Sequence, residues 1–553
     1  MPFVSPCIRR MAITRLVFLK FDVMIRIVRR LALAVCLTIW GILAFSQFPV
    51  VIDFEQEPHI ETTTGVQGKA WNLGDVSYRM ALQKKNPIKE QDHFTVLLWV
   101  KSDALSREDY VILSEIGQVK YPDDGWKPRV MGGKLKDAVH YEGWKIGVQK
   151  DGAWSFSAGA DGFYYQYNPT AYRQSIRDGK WHLLGFSFDK ENAEIKFYYD
   201  GEMKAIYQVP ELKAMSRADS IVIGNSVDNE QDFRTKSWHS FYGEIDDITF
   251  FDRVLNREEV SQIYNNAFAT IELDQMEPES FSDLKVTAFN IFHGGQERGI
   301  EVGKNRTIEL LKKENADAFV IVETYGSGEK IADALGYELY LISSNLSIVS
   351  RYPIKQTFPI YKPFNSGGVE LALPNGESVV VVGVWLSHLP GYKRPFFKNP
   401  NEDIQAFLEG DKNSRGQQLQ AILEDIRPML AQAESIPVIV AGDFNSGSHL
   451  DWTPEFTDAH NGYIIPFTSS VMAHEVGLVD SYRLIHTMDE KDGITFSVWD
   501  NKLDYLRDRI DYIYFKGKKL QATESNVFGI HPKGFPSDHA GVSTIFNWKS
   551  EKK

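Results

Sequence analysis

The chain has 553 residues, too many for a single ordinary hydrophobic core, so two or three domains are expected. Hydrophobic residues make up 43% of the chain and charged residues 24%, proportions that exclude a largely disordered protein. The formal net charge of −13 argues against a protein that holds nucleic acid through a broad basic surface.

Residues 1–46 are predicted to be a secretory signal peptide that is removed from the mature protein. An arginine-rich stretch at 26–30 precedes an apolar run at 31–45, and Ala44 and Ser46 supply the small residues of a cleavage site. The run is short for a membrane span, although an uncleaved N-terminal anchor is the alternative interpretation. Met24 is a more usual start for such a leader. The expected location is secreted or periplasmic, with no stable membrane span in the mature chain.

The two cysteines, Cys7 and Cys36, both lie in this predicted leader, so the mature protein would contain none. Its stability must then come from core burial rather than from disulfides. A thiol nucleophile and a cysteine-ligated zinc site are excluded for the same reason.

Residues 50–267 are predicted to be an all-β domain. Asp-Gly dipeptides recur between apolar stretches, and Asp200-Gly201 follows the alternating Ile195, Phe197 and Tyr199, which is the pattern of a β-hairpin. Many short strands with dense aromatic residues indicate a β-sandwich. The only clear helix is expected at residues 256–264.

Four segments of this region resemble the laminin-G/concanavalin-like jelly roll, at residues 178–182, 198–201, 223–225 and 241–247. The resemblance implies a jelly-roll sandwich that binds glycan or another surface ligand, or that acts as a spacer, in some cases with Ca²⁺. Asp246 and Asp247 are the candidate Ca²⁺ ligands, with a solvated strand end as the alternative. The aromatic side chains could form the core or a platform for sugars.

Residues 268–282 are acidic and predict a linker, after which the hydrophobic pattern changes. Apolar strands and amphipathic helices alternate over residues 283–548, which indicates a layered α/β domain. The predicted strands lie at 284–289, 318–322, 379–385 and 437–441, and the predicted helices near 304–313 and 419–430.

Polar side chains stand at or just after the ends of these predicted strands, namely Asn290, Glu323, His388 and Asp443. Asp511 lies in a further predicted strand at 509–514, and Asp538 and His539 precede a last one. Such positions converge on one rim of a layered α/β fold. Carboxylate and amide oxygens without sulfur suit a hard cation such as Mg²⁺, Mn²⁺ or Ca²⁺. Histidines can move protons, and Asp511 could orient one of them. A cation, a carboxylate that orients water and two histidines are suited to phosphoester hydrolysis.

The motifs Gly442-Asp443-Phe444-Asn445, Arg509-Ile510-Asp511-Tyr512 and Ser537-Asp538-His539 resemble the endonuclease/exonuclease/phosphatase superfamily. The resemblance covers about residues 284–547 and implies a four-layered, deoxyribonuclease I-like α/β sandwich. Members include nucleases, neutral sphingomyelinases and inositol-polyphosphate phosphatases. Two departures appear, because Val322 stands where many members have Gln, and Phe292 disfavours the abasic-site branch.

The resemblance also implies roles for individual residues. The metal ligands would be Asn290, Glu323 and Asp538. The catalytic residues would be His388, Asp443, Asn445, Asp511 and His539. Asp443 would activate water, Asn445 would contact the transition-state phosphoryl group, Asp511 would pair with His539, and His388 would assist the leaving group. His293 and Tyr392 are candidate substrate contacts, with plain loop roles as the alternative.

The sequence therefore predicts an exported phosphoesterase dependent on Mg²⁺ or Mn²⁺, with a glycan- or surface-binding accessory domain. Phosphodiesterase activity is the first expectation, and nuclease, sphingomyelinase-like and phosphatase activities stay open. Nucleic acid is a candidate substrate, although from residue 281 onward 28 Lys and Arg face 35 Asp and Glu. The alternative is a carbohydrate-binding or adhesion protein with an inactive phosphoesterase-like scaffold.

Overall fold

The computed structural model describes residues 48–55, 61–73, 82–103, 110–116, 143–160, 163–224, 241–268, 281–391, 404–486, 493–498 and 508–549. The predicted signal peptide, Tyr392 and most of the predicted linker lie outside these ranges. Within them, no helix is both long and apolar enough to cross a membrane.

The N-terminal domain is a jelly roll, as predicted. Its strands are β1 Val50–Ile52, β2 Thr62–Thr64, β3 Lys69–Asn72, β4 Leu82–Lys85, β5 His93–Lys101, β6 Tyr110–Ile116, β7 Gly143–Val148, β8 Trp154–Ala160, β9 Phe163–Tyr167, β10 His182–Asp189, β11 Glu194–Tyr199, β12 Glu202–Gln208, β13 Ser220–Ile223 and β14 Glu244–Phe251. Strands β2-β3-β14-β5-β10-β11-β12 lie in one sheet and β4-β13-β6-β7-β8-β9 in the other. Helix α1, Arg257–Ala267, follows and is capped by Asn256.

Most aromatic residues that the structure describes in the jelly roll are buried in its core, whereas Tyr172 and Tyr242 are exposed. Phe156 of one sheet packs on Phe186 of the other with ring centroids 4.5 Å apart, and Tyr167 stacks on Phe197 at 4.4 Å. Trp99 and Trp154 are also buried. These side chains are therefore unavailable as a sugar platform, and their role is burial of apolar surface.

The predicted hairpin is present at the turn between β11 and β12. Asp200 and Gly201 have φ values of 52° and 80°, the left-handed conformation that a tight two-residue turn requires. Asp246, the candidate Ca²⁺ ligand, accepts hydrogen bonds from the backbone N–H groups of Val66, Gln67 and Asp247. Its carboxylate thus holds a neighbouring loop, and Ca²⁺ binding by this domain stays a prediction.

The C-terminal domain has the deoxyribonuclease I-like α/β sandwich fold. Its strands are β15 Asp283–Asn290, β16 Ala318–Val322, β17 Glu338–Leu341, β18 Leu346–Ser350, β19 Ile354–Pro359, β20 Ser366–Ala372, β21 Ser378–Trp385, β22 Val438–Asp443, β23 Val479–Asp480, β24 Asp511–Lys516, β25 Leu520–Phe528 and β26 Gly541–Trp548. Its helical segments are α2 Phe292–Gly295, α3 Ile300–Glu314, α4 Gly328–Leu335, α5 Ile404–Asp411, α6 Gln417–Asp425, α7 Arg427–Ala431, α8 Thr468–Glu475 and α9 Ser481–Ile485, with a short π-helix Lys412–Gly416 and a 3₁₀ helix Pro454–His460. All four residues of α2 have positive φ, so this segment is a left-handed turn and not an α-helix.

Two sheets face each other in this domain, in the orders β17-β18-β16-β15-β26-β25 and β19-β20-β21-β22-β24-β23. Alternate residues of β21 point to opposite faces. Val379 and Val381 join the core between the sheets, whereas Val380 and Val382 pack with Leu419 and the other apolar residues of α6. Burial on both faces explains why this strand is an unbroken apolar run in the sequence.

The first sheets of the two domains join edge to edge. Strand β12 pairs in parallel with β17, so that hydrogen bonding continues from β2 of the jelly roll to β25 of the C-terminal domain. The described residues from Val51 onward form one compact unit.

Helix α4 carries a carboxylic acid, Glu329, into this junction. Burial raises the pKa of Glu329 to about 7, and the Tyr207 hydroxyl lies 3.5 Å from its Oε2. A raised carboxyl pKa favours folding only while the group keeps its proton. The stability penalty therefore begins above the usual pKa near 4.5 and is complete above pH 7.

We expect Glu329→Gln to stabilise the protein at pH 8 and to leave its stability nearly unchanged at pH 4.5. The shift in pKa sets the upper limit of the gain in the free energy of unfolding at pH 8, which is ~3 kcal/mol. Thermal unfolding of wild type and variant at both pH values measures it. The matched control is Glu524→Gln, at an exposed carboxylate of the same domain. A variant less stable than wild type at pH 8 would contradict the prediction.

Candidate active site

The predicted site residues gather at one end of the two facing sheets. Asn290 is the last residue of β15 and lies in register with Val322, the last residue of β16, so Glu323 follows immediately. Asp443 is the last residue of β22 and lies in register with Asp511 at the start of β24. Each sheet thus delivers polar side chains to the same end of the sandwich.

Asn290 connects the two sheets through its side-chain amide. Its Nδ2 lies 3.2 Å from Glu323 Oε1, 3.1 Å from Asp443 Oδ2 and 3.5 Å from His539 Nε2. Its Oδ1 accepts a hydrogen bond from the Phe292 backbone N–H at 3.0 Å. The side chain is 1% exposed, so these contacts are made away from solvent.

Three candidate site residues, one of them His293 with a φ of 49°, adopt left-handed backbone conformations that are rare outside glycine. Glu323 has a φ of 56° and Asn445 a φ of 48°. In these turns Glu323 Oε2 accepts the His293 backbone N–H at 2.9 Å, and Asp443 Oδ1 accepts the Asn445 backbone N–H at 2.8 Å. Such conformations cost energy and persist where surrounding contacts impose them, which is common at functional sites.

His539 and Asp511 form a buried ion pair. The Nδ1 atom of His539 lies 2.9 Å from Asp511 Oδ2, and the two side chains are 6% and 1% exposed. Burial by itself would lower the pKa of His539, but the carboxylates of Asp511, Asp443 and Asp538 outweigh it and raise that pKa to about 10. The imidazole therefore keeps its proton at neutral pH.

The carboxyl groups around this histidine lie close enough to one another that their negative charges repel. Burial, followed by the charge of Asp511, raises the pKa of Asp443 to about 7. Burial also raises the pKa of Asp538, and the nearby Glu323 adds to the rise against the opposing effect of His539. Mutually repelling carboxylates of this kind create a strong demand for positive charge.

The donor set fits a hard divalent cation. Asp511 Oδ1 and Asp538 Oδ1 are buried and have no hydrogen-bond partner among the described residues. Potential ligand atoms of Asp443, Asp511 and His539 lie within 4.8 Å of one another. Because His539 Nδ1 already contacts Asp511, carboxylate oxygens are the natural ligands here. The predicted ligand Asn290 directs its nitrogen, rather than its oxygen, toward Glu323 and Asp443.

The other predicted residues lie at the margin of this cluster. Asn445 donates from Nδ2 to Leu386 O at 3.0 Å and to Asp443 Oδ2 at 3.1 Å. His388 is exposed, with its ring 6.5 Å from that of Trp385, and it lies outside the hydrogen-bonded cluster. His293 stacks on Phe292 and contacts Glu297 Oε1 through Nδ1 at 2.7 Å. Tyr392 lies outside the described residues.

Two hydroxyl residues support the cluster without having been predicted as site residues. Ser537 donates to the backbone oxygen of Asn290 at 2.7 Å and accepts the His539 backbone N–H at 3.1 Å. Thr495 Oγ1 accepts the backbone N–H groups of Ile510 and Asp511 at 3.0 and 3.1 Å. Ser537 belongs to the motif Ser537-Asp538-His539, whereas the sequence around Thr495 carries no comparable signal.

The loop that carries His388 is held by Arg415, a buried residue of the π-helix Lys412–Gly416. Its guanidinium donates to Ser387 O at 3.1 Å and Pro390 O at 3.0 Å, and it pairs with Asp411 at 2.5 Å. Arg415 is fully buried, and short π-helical segments within α-helices are frequent at functional sites. The position of His388 is therefore supported from within the domain.

Comparison with known proteins identifies a family for each domain. Residues 287–539 match the Endonuclease/Exonuclease/phosphatase family, and residues 77–261 match the Laminin_G_3 family, described as the Concanavalin A-like lectin/glucanases superfamily. Both resemblances predicted from the sequence are thereby confirmed, together with the two fold classes that they implied.

Individual relatives are distant. Uncharacterized protein F14F9.5 of Caenorhabditis elegans is 25% identical over 289 residues, which are 47% of this chain and 90% of the relative. An AP endonuclease from Archaeoglobus fulgidus is 17% identical with a TM-score of 0.35, over 48% of this chain and 99% of the other. Truncated Caenorhabditis elegans TDP2 is 18% identical with a TM-score of 0.34, over 48% and 97%.

Proposed function

Because residues 287–539 belong to the endonuclease/exonuclease/phosphatase family, whose members hydrolyse phosphoester bonds, we propose that this chain is a divalent-cation-dependent phosphoesterase. The observation that carries the proposal is the buried cluster in which Asn290 links Glu323 to Asp443 beside the ion pair of His539 and Asp511. The cluster combines excess carboxylate with one protonated imidazole, which suits metal-assisted hydrolysis.

Glu323 and Asp538 are the proposed ligands of the cation. Glu323 is one of the groups that raise the pKa of Asp538, and Asp538 Oδ1 has no partner among the described residues. Asn290 would be the third ligand, through its side-chain oxygen. When bound, Mg²⁺ or Mn²⁺ supplies positive charge that stabilises the phosphoryl oxygens in the transition state.

Asp443 is the proposed group that orients water and accepts its proton. The water oxygen forms a bond to phosphorus while the ester P–O bond breaks on the opposite side. Protonated His539 lies beside Asp443 and stabilises the negative charge that develops on the phosphoryl group. Asp511 keeps this imidazole charged and in place. We assign protonation of the leaving oxygen to His388.

The finer parts of the proposal concern substrate and location. We propose a phosphodiester as the preferred substrate, with nucleic acid, sphingomyelin and inositol phosphates as the classes to compare. We also propose export, based on the leader at residues 1–46, and separate domains at 50–267 and 283–548 joined by residues 268–282. Surface or glycan binding by the jelly roll is supported by its family and not by its buried aromatic residues.

Removal of divalent cations is expected to abolish hydrolysis. The purified chain would be assayed on bis-p-nitrophenyl phosphate, DNA, sphingomyelin and inositol phosphates, before and after EDTA. We expect the rate of hydrolysis to fall by at least ~100-fold, because without a cation the carboxylates of the site are left to repel one another and the negative charge of the phosphoryl group. Readdition of Mg²⁺ or Mn²⁺ should restore the rate. Hydrolysis that persists after exhaustive chelation would contradict the proposal.

A further inference from the structure

The junction between the two domains places jelly-roll contacts next to the segment that carries Glu323. We propose that the N-terminal domain is a permanently docked support of the catalytic domain, which holds this segment through β17 and α4 and thereby sets the affinity of the site for its divalent cation. The inference about affinity rests on the proposed function, whereas the docking stands on the junction itself.

The first observation is the pairing of strands across the junction. Ala205, Ile206 and Tyr207 of β12 lie in register with Leu339, Tyr340 and Leu341 of β17. Of these, Ala205, Ile206, Tyr207, Leu339 and Tyr340 are at most 3% exposed. Without the jelly roll, β17 would be an edge strand with unpaired backbone groups and uncovered apolar side chains, which is a site of aggregation. The catalytic domain therefore needs this partner at its edge.

Side chains reinforce the strand pairing with buried or half-buried hydrogen bonds. The guanidinium of Arg257 in α1 forms a bidentate ion pair with the carboxylate of Glu338, at 2.5 and 2.8 Å. The hydroxyl of Tyr340 donates a hydrogen bond to Gln208 Oε1 at 2.8 Å. Both kinds of contact use polar groups that burial would otherwise leave unpaired. Such matched polar groups are typical of interfaces that stay closed.

Helix α4 is held from the same side. Asp333 accepts a hydrogen bond from Gln174 Nε2 at 2.9 Å and another from the Thr170 hydroxyl, and both donors belong to the jelly roll. Asp333 is 3% exposed. One face of α4 is thus fixed by the N-terminal domain.

The segment between β16 and α4 carries Glu323 and is attached to both supported elements. The backbone N–H groups of Thr324 and Tyr325 bond to Asn345 O and Ser344 O in the turn after β17, at 3.3 and 2.7 Å. At its other end Ile331 N donates to Ser327 O at 3.0 Å, which begins α4. A shift of β17 or α4 would therefore move the left-handed turn at Glu323. Outer partners of metal ligands commonly tune metal affinity in this way.

Docking can be tested by cutting the chain between residues 268 and 281. A protease recognition sequence inserted there in the full chain allows cleavage after folding. We expect the two fragments to elute together in size-exclusion chromatography and to separate only in denaturant. Fragments that separate under native conditions would overturn the proposal.

The effect on the cation is tested with full-length variants by titration with Mn²⁺, with free Mn²⁺ measured by electron paramagnetic resonance. Asp333→Ala removes the contacts with Gln174 and Thr170, and we expect it to raise the dissociation constant for Mn²⁺ about threefold to tenfold. This is less than the ~10–100-fold typical of groups bonded directly to a metal ligand, because Asp333 acts through α4. Asp333→Asn keeps an oxygen for Gln174 and should restore most of the affinity. Glu377→Ala, which breaks an ion pair with Lys519 made wholly within the catalytic domain, is the control and should change nothing.

Equal affinity in Asp333→Ala and wild type would overturn the coupling to the metal site. The coupling would also be overturned if Glu377→Ala lost as much affinity for Mn²⁺ as Asp333→Ala, because both variants would then act by destabilising the whole domain. A wild-type chain that binds no Mn²⁺ contradicts the proposed function, while the cleavage experiment still decides whether the domains stay docked.

Discussion

His539→Ala is expected to lower kcat by at least ~1,000-fold, the scale seen when a central charged group of a catalytic cluster is removed. The substitution deletes the one positive charge that the cluster's own side chains supply. It also leaves the carboxylate of Asp511, which is 1% exposed, without its partner. KM should change far less than kcat, since the charge acts mainly on the transition state.

The control for this variant is His531→Ala. His531 is equally buried and pairs with Glu309 Oε2 at 3.0 Å, but it takes no part in the cluster. Both variants lose a buried histidine, so thermal unfolding of each separates lost stability from lost catalysis. A folded His539→Ala protein with wild-type kcat would remove the basis of the proposed mechanism.

Glu323→Gln should raise the dissociation constant for Mn²⁺ or Mg²⁺ by about 100-fold, because a neutral amide replaces a charged ligand. Gln keeps the length of the side chain, and its oxygen can still accept the His293 backbone N–H that Glu323 Oε2 accepts at 2.9 Å. The fold of the turn should therefore survive. Isothermal titration with each cation, together with the metal dependence of the rate, measures the effect.

Glu297→Gln is the matched control for the Glu323 variant. Glu297 lies close by in the chain and contacts His293 Nδ1 at 2.7 Å, but its side chain is 39% exposed. We expect it to bind cations as the wild type does. If Glu323→Gln binds Mn²⁺ as tightly as wild type, the cation is held elsewhere, and the trio Asp443, Asp511 and His539 becomes the candidate site.

Much of the architecture could be predicted because it depends on patterns of residues that are close together in the sequence. Asp200-Gly201 between alternating apolar residues predicted a hairpin, since few other residue pairs adopt two positive φ values. Apolar runs that end in a polar residue predicted the strands that end at Asn290 and Asp443. The register within each sheet places these residues at strand ends, and the contact between Asn290 Nδ2 and Asp443 Oδ2 at 3.1 Å shows that the ends of the two sheets meet.

The direction of individual side-chain atoms was not predictable. The sequence predicts Asn290 as a metal ligand but not that its nitrogen lies between Glu323 and Asp443 in the metal-free structure, and the ligand role stays a prediction. The sequence likewise does not show that His388 lies on an exposed loop, and its catalytic role stays a prediction. Rotamers depend on neighbours from several strands, which a linear pattern does not contain. Thr495 is a further case, because its role depends on the fold of a loop against β24.

The sequence by itself thus determined the two fold classes, the chemistry of the donor set and the order of the strands that carry it. Only the tertiary structure decided that the domains share one sheet, that Glu329 is buried at their junction and that Asn290 spans the cluster. The reason is physical. Strand β12 pairs with β17 across about 130 residues of chain, and neither strand's pattern of apolar residues specifies its partner.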